Sequence, residues 1–424
     1  MSGAEAHGRG YPTGHRSPLM PEPPSPARTV RTVPACASAL GACSKPGRAP
    51  RTGHGPAQVE RDSIGRCEIP RDTPPYGTRG SAMSSQIPTQ PATAAEYLPL
   101  AFGFALHQIG ATVNSLGVLA AVADGPRTAE ELIETTGAHP RSLRRLLYAA
   151  VRAGVLSLDA DGYRAMPVAE QFGPLSDMHA APPVWRAWEV LEESVRTGRS
   201  AFEIANGAPL FDYFEKDGGL AAIFHAAMTG GSDVQSPAIV RHFDFTRFRH
   251  AVDVGGGRGT LLSAVLDANP ELRGTVFDTE NGVAETADVL AEAGLSERCG
   301  ITVGSFFDSV PAGGDLYLLK NILHDWNDEE SVRILGNIRK VLPADGRVVV
   351  FSSVLPENGA DADPADALGA AISDIEMLVM TTGRERTSKE YRRIFAAAGL
   401  ELTAVTPLPC PYQYHALEAA PAAS

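Results

Sequence analysis

The spacing of apolar residues changes character near the middle of the chain. From His250 onward, short apolar runs alternate with stretches in which apolar positions recur at helical spacing. The runs predict strands and the stretches predict helices, in the order HAVDVGG, TLLSAVLDANP, RGTVFD, VAETADVLAEAGL, GITVGSFF, DLYLLKNIL, DEESVRILGNIRKVL and RVVVFSSVL, with DLYLLKNIL as a strand that directly follows GITVGSFF. A last helix, SKEYRRIFAAAGL, precedes a final hairpin. Repeated strand–helix units predict an α/β fold with a parallel sheet, which binds ligands at the carboxyl ends of its strands.

The residues before this region are predominantly helical. Apolar residues at helical spacing predict one long helix over 95–122 and two shorter helices after it. Thr128 and Glu131 have the spacing of a capping box at the first short helix, and Pro140 suits the first turn of the second. Residues 154–172 predict a hairpin with an Asp-Gly turn. Helices followed by a hairpin in this order are the arrangement of a winged helix.

Composition divides the chain into four segments. Residues 1–91 contain nearly half of the 33 prolines and few large apolar side chains, so we expect a disordered leader. This leader is either a genuine tail or the product of a start site upstream of the true one at Met83. We predict a winged-helix domain over 92–179, a helical segment rich in aromatic residues over 180–249, and the parallel-sheet domain over 250–424.

The overall composition limits the class of protein. Of the 424 residues, 43% are hydrophobic and 21% are charged, as in ordinary globular proteins, and the net charge of −13 argues against a nucleic-acid partner. No apolar stretch approaches the ~20 residues needed to cross a bilayer, so no membrane partner is expected. The five cysteines have no CxxC spacing and no nearby His. We therefore expect no metal site and a reduced, cytoplasmic location.

A glycine-rich turn follows the first strand of the predicted sheet. The stretch DVGGGRGT places Gly255, Gly256 and Gly257 after Asp253, but Thr260 stands where a dinucleotide-binding turn needs its third glycine. Glycines still allow a ligand to approach the backbone closely. Asp278 ends the second strand, where a carboxylate can accept both hydroxyls of a ribose. These features favour a nucleoside ligand, and Asp253 is placed to face an ammonium group of that ligand.

Longer stretches resemble one enzyme family. VDVGGGRGTLL, LRGTVFD, GSFFDSVPAGGDLYLLKNILHDWNDEE, VLP and TGRERTSKEY are similar to segments of S-adenosylmethionine-dependent small-molecule O-methyltransferases, of the caffeic-acid type of plants and of actinobacterial antibiotic tailoring. The resemblance covers residues 92–418, and its LHDW and GRERT motifs are specific to that family. It implies a Rossmann-like methyltransferase domain, S-adenosylmethionine as cofactor, and a winged-helix domain that forms a homodimer.

The resemblance also assigns cofactor contacts beyond the glycine turn. Lys320 matches a family lysine near the cofactor, although a solvated lysine at a strand end is the plainer reading. Ser305 stands where many relatives have an acid for the adenine amino group. We therefore expect Ser305 and Phe306 to hold adenine by a weaker hydrogen bond and by stacking.

The stretch LKNILHDWNDEE brings a histidine to the end of the fourth strand. A phenol has a pKa of about 10, so its methylation is helped by a base close to its hydroxyl. His324 suits that role because its intrinsic pKa lies near neutral pH, and the resemblance assigns the same role; a helix cap is the plainer reading. We expect Asp325 and Trp326 to serve packing and helix entry, with Asn327 or Asp328 as the N-cap.

A base histidine is best held by a carboxylate on its second nitrogen. The resemblance implies two such acids. One is Glu385 in GRERT, but the position of the other, at the end of the fifth strand, is Ser352. We therefore expect Glu385 alone to orient His324, or Ser352 to recruit a water molecule.

The acceptor is expected to be a phenolic small molecule, such as an aromatic polyketide. Met228, Asp374 and Met377 are assigned to its pocket, together with the apolar side chains of Met380, Trp185 and Phe224. Two alternatives remain open. In the first, a methyltransferase fold uses its cofactor for hydroxylation, decarboxylation or a pericyclic step. Ser352, in place of the acid that the resemblance implies, leaves this alternative possible. In the second, the protein is a DNA-binding regulator. This alternative rests on the arginines of a predicted helix, at positions 141, 144, 145 and 152.

Overall fold

The computed structural model describes residues 94–357, 364–410 and 414–423. The disordered leader predicted for residues 1–91 lies outside these residues. The four predicted segment boundaries stay predictions. Within the described part of the chain, no helix combines the length and the apolar character that crossing a bilayer requires.

The first elements are those of the predicted winged helix. They comprise the helices α1 (Ala94–Ser115), α2 (Val118–Ala121), α3 (Ala129–Thr136) and α4 (Pro140–Arg152), followed by the antiparallel hairpin β1 (Leu156–Leu158) and β2 (Tyr163–Ala165). The capping box of Thr128 and Glu131 is present at α3, and Pro140 begins α4. An apolar core of its own, which includes Leu132, Leu143 and Leu147, holds these elements together.

Two boundaries in this region differ from the predictions. The long helix predicted over 95–122 is wrong: α1 ends at Ser115, because Gly117 takes a φ of 77°, in the left-handed region that ends helices. The hairpin is also shorter than predicted. Helix α5 (Pro167–Ala180) begins at Pro167, which is favoured at a first helical position.

Five helices connect the winged helix to the sheet. They are α6 (Pro182–Glu189), α7 (Leu191–Thr197), α8 (Ala201–Asn206), α9 (Leu210–Phe214) and α10 (Gly218–His242). The aromatic residues of this segment divide between two roles. Phe202 is fully buried in a core that also contains Leu210 and Val379, whereas Phe211 and Phe224 face a cavity.

The seven predicted strands and one further short strand form an eight-stranded sheet. The parallel part consists of β3 (His250–Val254), β4 (Arg273–Asp278), β5 (Cys299–Val303), β6 (Leu316–Lys320) and β7 (Arg347–Leu355). A short strand, β8 (Arg386–Thr387), pairs with the end of β7. The final hairpin, β9 (Leu400–Pro407) and β10 (Tyr414–Pro421), adds an antiparallel edge in the order β5-β4-β3-β6-β7-β10-β9.

Helices cover both faces of this sheet, as the alternating pattern predicted. They are α11 (Thr260–Ala268), α12 (Thr286–Glu292), α13 (Asp328–Val341), α14 (Pro364–Met380) and α15 (Ser388–Ala397). Buried apolar residues form one cluster on each face of the sheet. Helix α14 has no counterpart in the sequence prediction. The chain runs from β3 outward to β5 and then returns to β6 on the other side of β3, so the site-forming crevice lies where the strand order reverses.

Candidate active site

A cavity of about 1280 Å³ lies over the carboxyl ends of the parallel strands. Residues at or just beyond the ends of β3, β4, β5 and β6 form its floor, and α1, α5, α6, α10 and α14 form its walls. Its size exceeds that of most sites for a single small ligand. The cavity therefore has room for a nucleoside cofactor and an aromatic acceptor together.

The glycine turn after β3 forms one part of the cavity lining. Gly255 has a φ of 74° and Gly257 a φ of 53°, a conformation that favours glycine. A Cβ on Gly255 would collide with the Ile322 side chain, and one on Gly256 would lie 2.9 Å from the Asp253 carboxylate. Nothing lies within 4 Å of the equivalent point on Gly257. The backbone of this turn is therefore packed on the protein side and open on the cavity side, as a close-approaching ligand requires.

Asp278 ends β4 beside the glycine turn and lines the same cavity. Its Oδ2 accepts the N–H of Gly257 at 2.9 Å, and its Oδ1 accepts the N–H of Thr279 at 2.7 Å. Oδ1 also accepts the Thr279 hydroxyl at 3.2 Å. These bonds fix the plane of the carboxylate, and Oδ2 retains a lone pair for a further donor. The arrangement fits a contact with a ribose hydroxyl through Oδ2.

Asp253 and Lys320 are an oppositely charged pair on the neighbouring strands β3 and β6. Burial raises the pKa of Asp253 to about 7 and lowers that of Lys320 to about 8, while the attraction between the two charges opposes both shifts. The Nζ of Lys320 donates to Oε1 of Gln235 at 3.4 Å. Lys320 is thus a partly buried lysine that lines the cavity, not a solvated lysine at a strand end.

Ser305 and Phe306 follow β5 and both line the cavity. Ser305 Oγ accepts the N–H of Phe307 at 3.2 Å. The carbonyl of Phe306 accepts Nδ2 of Asn337 at 2.9 Å, and its ring lies edge-on to Phe307 and Trp326. Contacts with Phe307 and Trp326 therefore fix the orientation of the Phe306 ring, which suits the predicted stacking on adenine.

His324 lies in a 3₁₀ turn, Leu323–Asp325, between β6 and α13. Its Nδ1 is 2.9 Å from Oε1 of Glu385, a carboxylate that is only 1% exposed. Because an ionised carboxylate can only accept, Nδ1 donates, and Nε2 is the nitrogen left for a ligand. The same Glu385 oxygen accepts the Ser373 hydroxyl at 2.7 Å. The two residues, 61 positions apart, form the predicted pair.

The surroundings make His324 a stronger base than the sequence suggests. Burial acts to lower its pKa, but the negative charges of Glu385 and Asp325 and the hydrogen bond to Glu385 outweigh it and raise the pKa to about 9. A nearby Lys320 charge opposes this rise. The sequence offers only the intrinsic pKa of histidine, and the raised pKa arises in the folded protein.

Asp325 has a different place from the one predicted. The expectation was packing and helix entry, yet Asp325 lines the cavity with Oδ1 at 3.8 Å from Nε2 of His324. Burial raises its pKa to about 6, against the opposing attraction of His324. Helix entry is provided by Asn327, whose side chain forms a capping box with Glu330 at the start of α13.

A buried arginine that the sequence argument did not single out holds the histidine turn. Arg386 is fully buried, and its guanidinium donates to the carbonyls of Leu323 and Trp326, each at 2.7 Å. It also donates to Oδ1 of Asp328 at 2.9 Å. The GRERT segment thus supplies both the acid that holds the imidazole and the arginine that holds its backbone.

The remaining predicted residues divide into two groups. Met228 and Met377 line the cavity, as do the apolar side chains of Met380, Trp185 and Phe224. Asp374 is not among the lining residues, so its assignment to the pocket is wrong: its Oδ1 accepts the N–H of Glu385 at 2.9 Å. Ser352 is fully buried in β7 outside the lining, and its hydroxyl has no hydrogen-bond partner within the described residues.

Two segments of the chain match models of known protein families. Residues 98–173 match the O-methyltransferase dimerisation domain, and residues 188–401 match the O-methyltransferase domain. The mitomycin biosynthesis 6-O-methyltransferase of Streptomyces lavendulae is 36% identical over 305 residues, which cover 70% of this chain and 85% of that protein.

Solved structures agree with this assignment. The structure of LaPhzM has a TM-score of 0.71 at 34% identity, over 77% of this chain and 98% of that one. The O-methyltransferase NcsB1 of neocarzinostatin biosynthesis, solved with S-adenosylmethionine and 2-hydroxy-5-methyl naphthoic acid, has a TM-score of 0.61 at 31% identity, over 75% and 96% of the two chains. The chain belongs to the S-adenosylmethionine-dependent O-methyltransferases of secondary metabolism.

Proposed function

We propose that this O-methyltransferase methylates a hydroxyl of a phenolic, polyketide-type aromatic molecule, with His324 as the general base. The observation that carries this proposal is the His324–Glu385 pair. The pair lines the same cavity as the glycine turn and Asp278, so the base and the nucleoside-binding residues face the same space.

S-Adenosylmethionine, when bound, supplies a methyl group on a positively charged sulfur. The residues that would hold it are Gly255, Gly256 and Gly257, with Asp278 at the ribose and Ser305 and Phe306 at the adenine. The open face of the glycine turn and the fixed carboxylate of Asp278 support this placement. Asp253, which is buried, and Lys320, which is partly buried, are placed for the amino-acid portion.

The raised pKa of His324 lies close to the pKa of a phenolic hydroxyl. An ordinary histidine lies about 3.5 units below a phenol, so moving the proton between them costs about 5 kcal/mol. With the pKa of His324 at about 9, the gap falls to about one unit, or about 1.4 kcal/mol. Glu385 and Asp325 therefore make the imidazole a base that can accept the phenolic proton while the oxygen forms its new bond to carbon.

The same shift has a consequence at neutral pH. An imidazole whose pKa is about 9 is mostly protonated at pH 7 and can accept a phenolic proton only in its neutral form. A positive charge in the neighbouring cofactor site would disfavour the imidazolium. A cofactor that carries this charge would thus favour the neutral form of His324, which is the form that accepts a proton.

The assembly proposed is a homodimer through residues 93–173. Large apolar side chains of α1 are exposed in the single chain, namely Tyr97, Leu100, Phe102 and Phe104, with exposed fractions of 52%, 72%, 52% and 61%. An apolar surface of this kind is covered in stable proteins, and the matched dimerisation domain supports a second copy as its cover. Light scattering at micromolar concentration should give the mass of a dimer, and a monomer would contradict the proposal.

Two points support the cytoplasm as the location. Cys299 and Cys410 are both unpaired, as cysteines are in a reducing compartment. A partner that is a small molecule also requires no membrane or nucleic-acid surface.

A different reaction within the same fold is the second candidate. Ser352 removes one of the two acids that the family resemblance implies, and a relative 31% identical is the aclacinomycin 10-hydroxylase RdmB of Streptomyces purpurascens. The complete His324–Glu385 pair favours methylation in this chain. Restoring an acid with Ser352→Glu discriminates between them: methylation that appears only in this variant would support the second candidate.

The test is a methylation screen. The purified protein is incubated with S-adenosylmethionine labelled in its methyl group and with a set of phenolic aromatic acceptors. The masses of the intact products are then measured by mass spectrometry. We expect label in one product, with a mass gain of one methylene. Incorporation into a carboxylate or an amine alone would contradict a phenolic acceptor.

A further inference from the structure

A second histidine–carboxylate pair lies in the cavity wall, apart from His324 and Glu385. His179 on α5 and Glu376 on α14 both line the cavity, and the His179 Nε2 lies 2.6 Å from Oε1 of Glu376. Their side chains are 22% and 20% exposed. The methyl-transfer mechanism described above uses neither residue.

The hydrogen bonds of His179 define its charge. Nδ1 lies 2.8 Å from the carbonyl of Leu175, and Nε2 lies on the Glu376 carboxylate. Both partners are acceptors only, so both ring nitrogens must carry a proton, and His179 is an imidazolium. Although burial acts to lower its pKa, the hydrogen bond and the charge of Glu376 raise it overall, in agreement with the geometry.

This bonding leaves one oxygen of Glu376 available. Within the part of the chain that the structure describes, the Glu376 carboxylate accepts a hydrogen bond only at Oε1. Its Oε2 accepts none and is not a buried atom, so it is open to the cavity. The surrounding wall is largely apolar, with Leu175, Met178, Trp185 and Met377 in the lining. A carboxylate oxygen in such a wall is strongly stabilised by a hydrogen-bond donor.

Glu376 also borders the space beside the catalytic pair. Its negative charge contributes to the raised pKa of Asp325, so the two carboxylates lie within electrostatic reach of each other. His107 completes the wall, with its ring edge-on to His179 at 6.0 Å between centroids and parallel to Trp185 at 6.3 Å. Burial and the charge of His179 lower the pKa of His107, which keeps it neutral.

We propose that Glu376, held and neutralised on one side by His179, binds a hydrogen-bond-donating substituent of the acceptor. The acceptor class is then an aromatic molecule with two polar groups: the hydroxyl that faces His324 and a second hydroxyl or an amine that faces Glu376. This inference rests on the proposed function, because it assumes that the acceptor lies in this cavity. An ether or a carboxylate at the second position is disfavoured, since neither donates a hydrogen bond.

A binding experiment tests the proposal independently of turnover. The probes are 2,7-dihydroxynaphthalene and 7-methoxy-2-naphthol, which differ by one donor. Each is titrated into protein loaded with S-adenosylhomocysteine, and the dissociation constants are measured by fluorescence. We expect the wild type to bind the diol on the order of tenfold more tightly than the ether, as for a hydrogen bond to a charged group.

Three variants isolate the contact. Glu376→Leu should bring the ratio of the two dissociation constants close to one, and Glu376→Gln, which retains an acceptor oxygen, should keep part of it. Glu192→Leu removes an exposed acid that pairs with Arg196 on α7, outside the cavity lining, and should keep the full ratio. Because the readout is a ratio of two ligands on one protein, a general loss of stability cancels.

Each outcome decides the inference. A ratio near one in the wild type, or the same ratio in Glu376→Leu and the wild type, overturns it and leaves the pair as a tie between α5 and α14. The proposed function fails separately: if the ratio changes as expected but labelled methyl groups never reach a phenol, then the subsite stands and the reaction does not. If phenols are methylated while the ratio is unaffected, then the reaction stands and the subsite does not.

Discussion

The two halves of the cavity are built in different ways. The cofactor half combines a backbone turn, Gly255 to Gly257, with side chains such as Asp278 that lie at or just beyond the ends of adjacent strands, and a hydrogen bond joins Asp278 to the turn. The acceptor half is made of side chains from segments far apart in the chain, such as His324 with Glu385 and His179 with Glu376. The cofactor half is positioned by local segments at the strand ends, whereas the acceptor half depends on charged side chains that only tertiary contacts bring together.

This difference has an energetic side. Around the glycine turn the contacts are steric and the bonds are to backbone amides, so a substitution there changes affinity for the cofactor. Around His324 the main effect is electrostatic, because two carboxylates raise the pKa of one imidazole. We therefore expect substitutions in the acceptor half to change rate and pH dependence and those in the cofactor half to change binding.

The largest expected effect is that of His324→Ala. Loss of the general base should lower kcat by about 10²- to 10⁴-fold, with little change in the dissociation constant for S-adenosylhomocysteine. The loss should shrink for acidic phenols, which ionise without help. His242→Ala, an exposed histidine on α10, is the matched control. A parallel loss of stability and cofactor affinity, independent of acceptor pKa, would instead mark His324 as structural.

Glu385→Gln should have the next largest effect, about 10- to 100-fold in kcat. The amide keeps the shape of the side chain but loses the charge that raises the pKa of His324. Steady-state kinetics with the acceptor from the screen measure this loss. The exposed Glu401→Gln serves as control, and an unchanged kcat in Glu385→Gln would show that the imidazole is oriented without this acid.

Asp278→Ala tests the cofactor half. Removal of a charged acceptor from the ribose should weaken binding of S-adenosylhomocysteine by about 2 kcal/mol, or about 30-fold. Calorimetry provides the dissociation constant, with the exposed Asp267→Ala as control. An unchanged constant would remove Asp278 from the site, and tighter binding of NAD would overturn the cofactor assignment.

The smallest of these effects is expected for Asp325→Asn. Asp325 contributes to the raised pKa of His324 without a direct hydrogen bond to it, at 3.8 Å. We expect a loss of several-fold in kcat/KM, smaller than that of Glu385→Gln, together with a lower pKa for the rising limb of the rate. A loss equal to that of His324→Ala would show that Asp325 itself is the base.

The contrast between the halves also explains what the sequence could predict. Seven of the eight strands of the sheet were predicted from local patterns, and local patterns also indicated the glycine turn and Asp278, whose role at the cofactor stays a prediction. The pairing of His324 with Glu385 was available only through resemblance to a family, since 61 residues separate them. No local pattern marks Glu376 as the partner of His179, and Asp374 was misplaced because neighbouring positions of a helix point in different directions.

A further error has a physical cause. A helix was predicted across Gly117, whose left-handed conformation ends it. The raised pKa of His324 could not be predicted from the sequence, because it depends on carboxylates that only the folded chain brings together. Propensity and period thus predict the scaffold well, while the electrostatics of the acceptor half arise from tertiary contacts.

The pH dependence of kcat/KM in the wild type and in Glu385→Gln tests the central claim most directly. His324 must be neutral to accept a proton, and its pKa in the folded protein is raised to about 9, so the rate should rise with pH from neutrality toward that value. In Glu385→Gln the carboxylate that raises this pKa is gone, and the rising limb should move toward the ordinary histidine value of about 6.5. A rising limb at the same pH in both proteins would contradict the account.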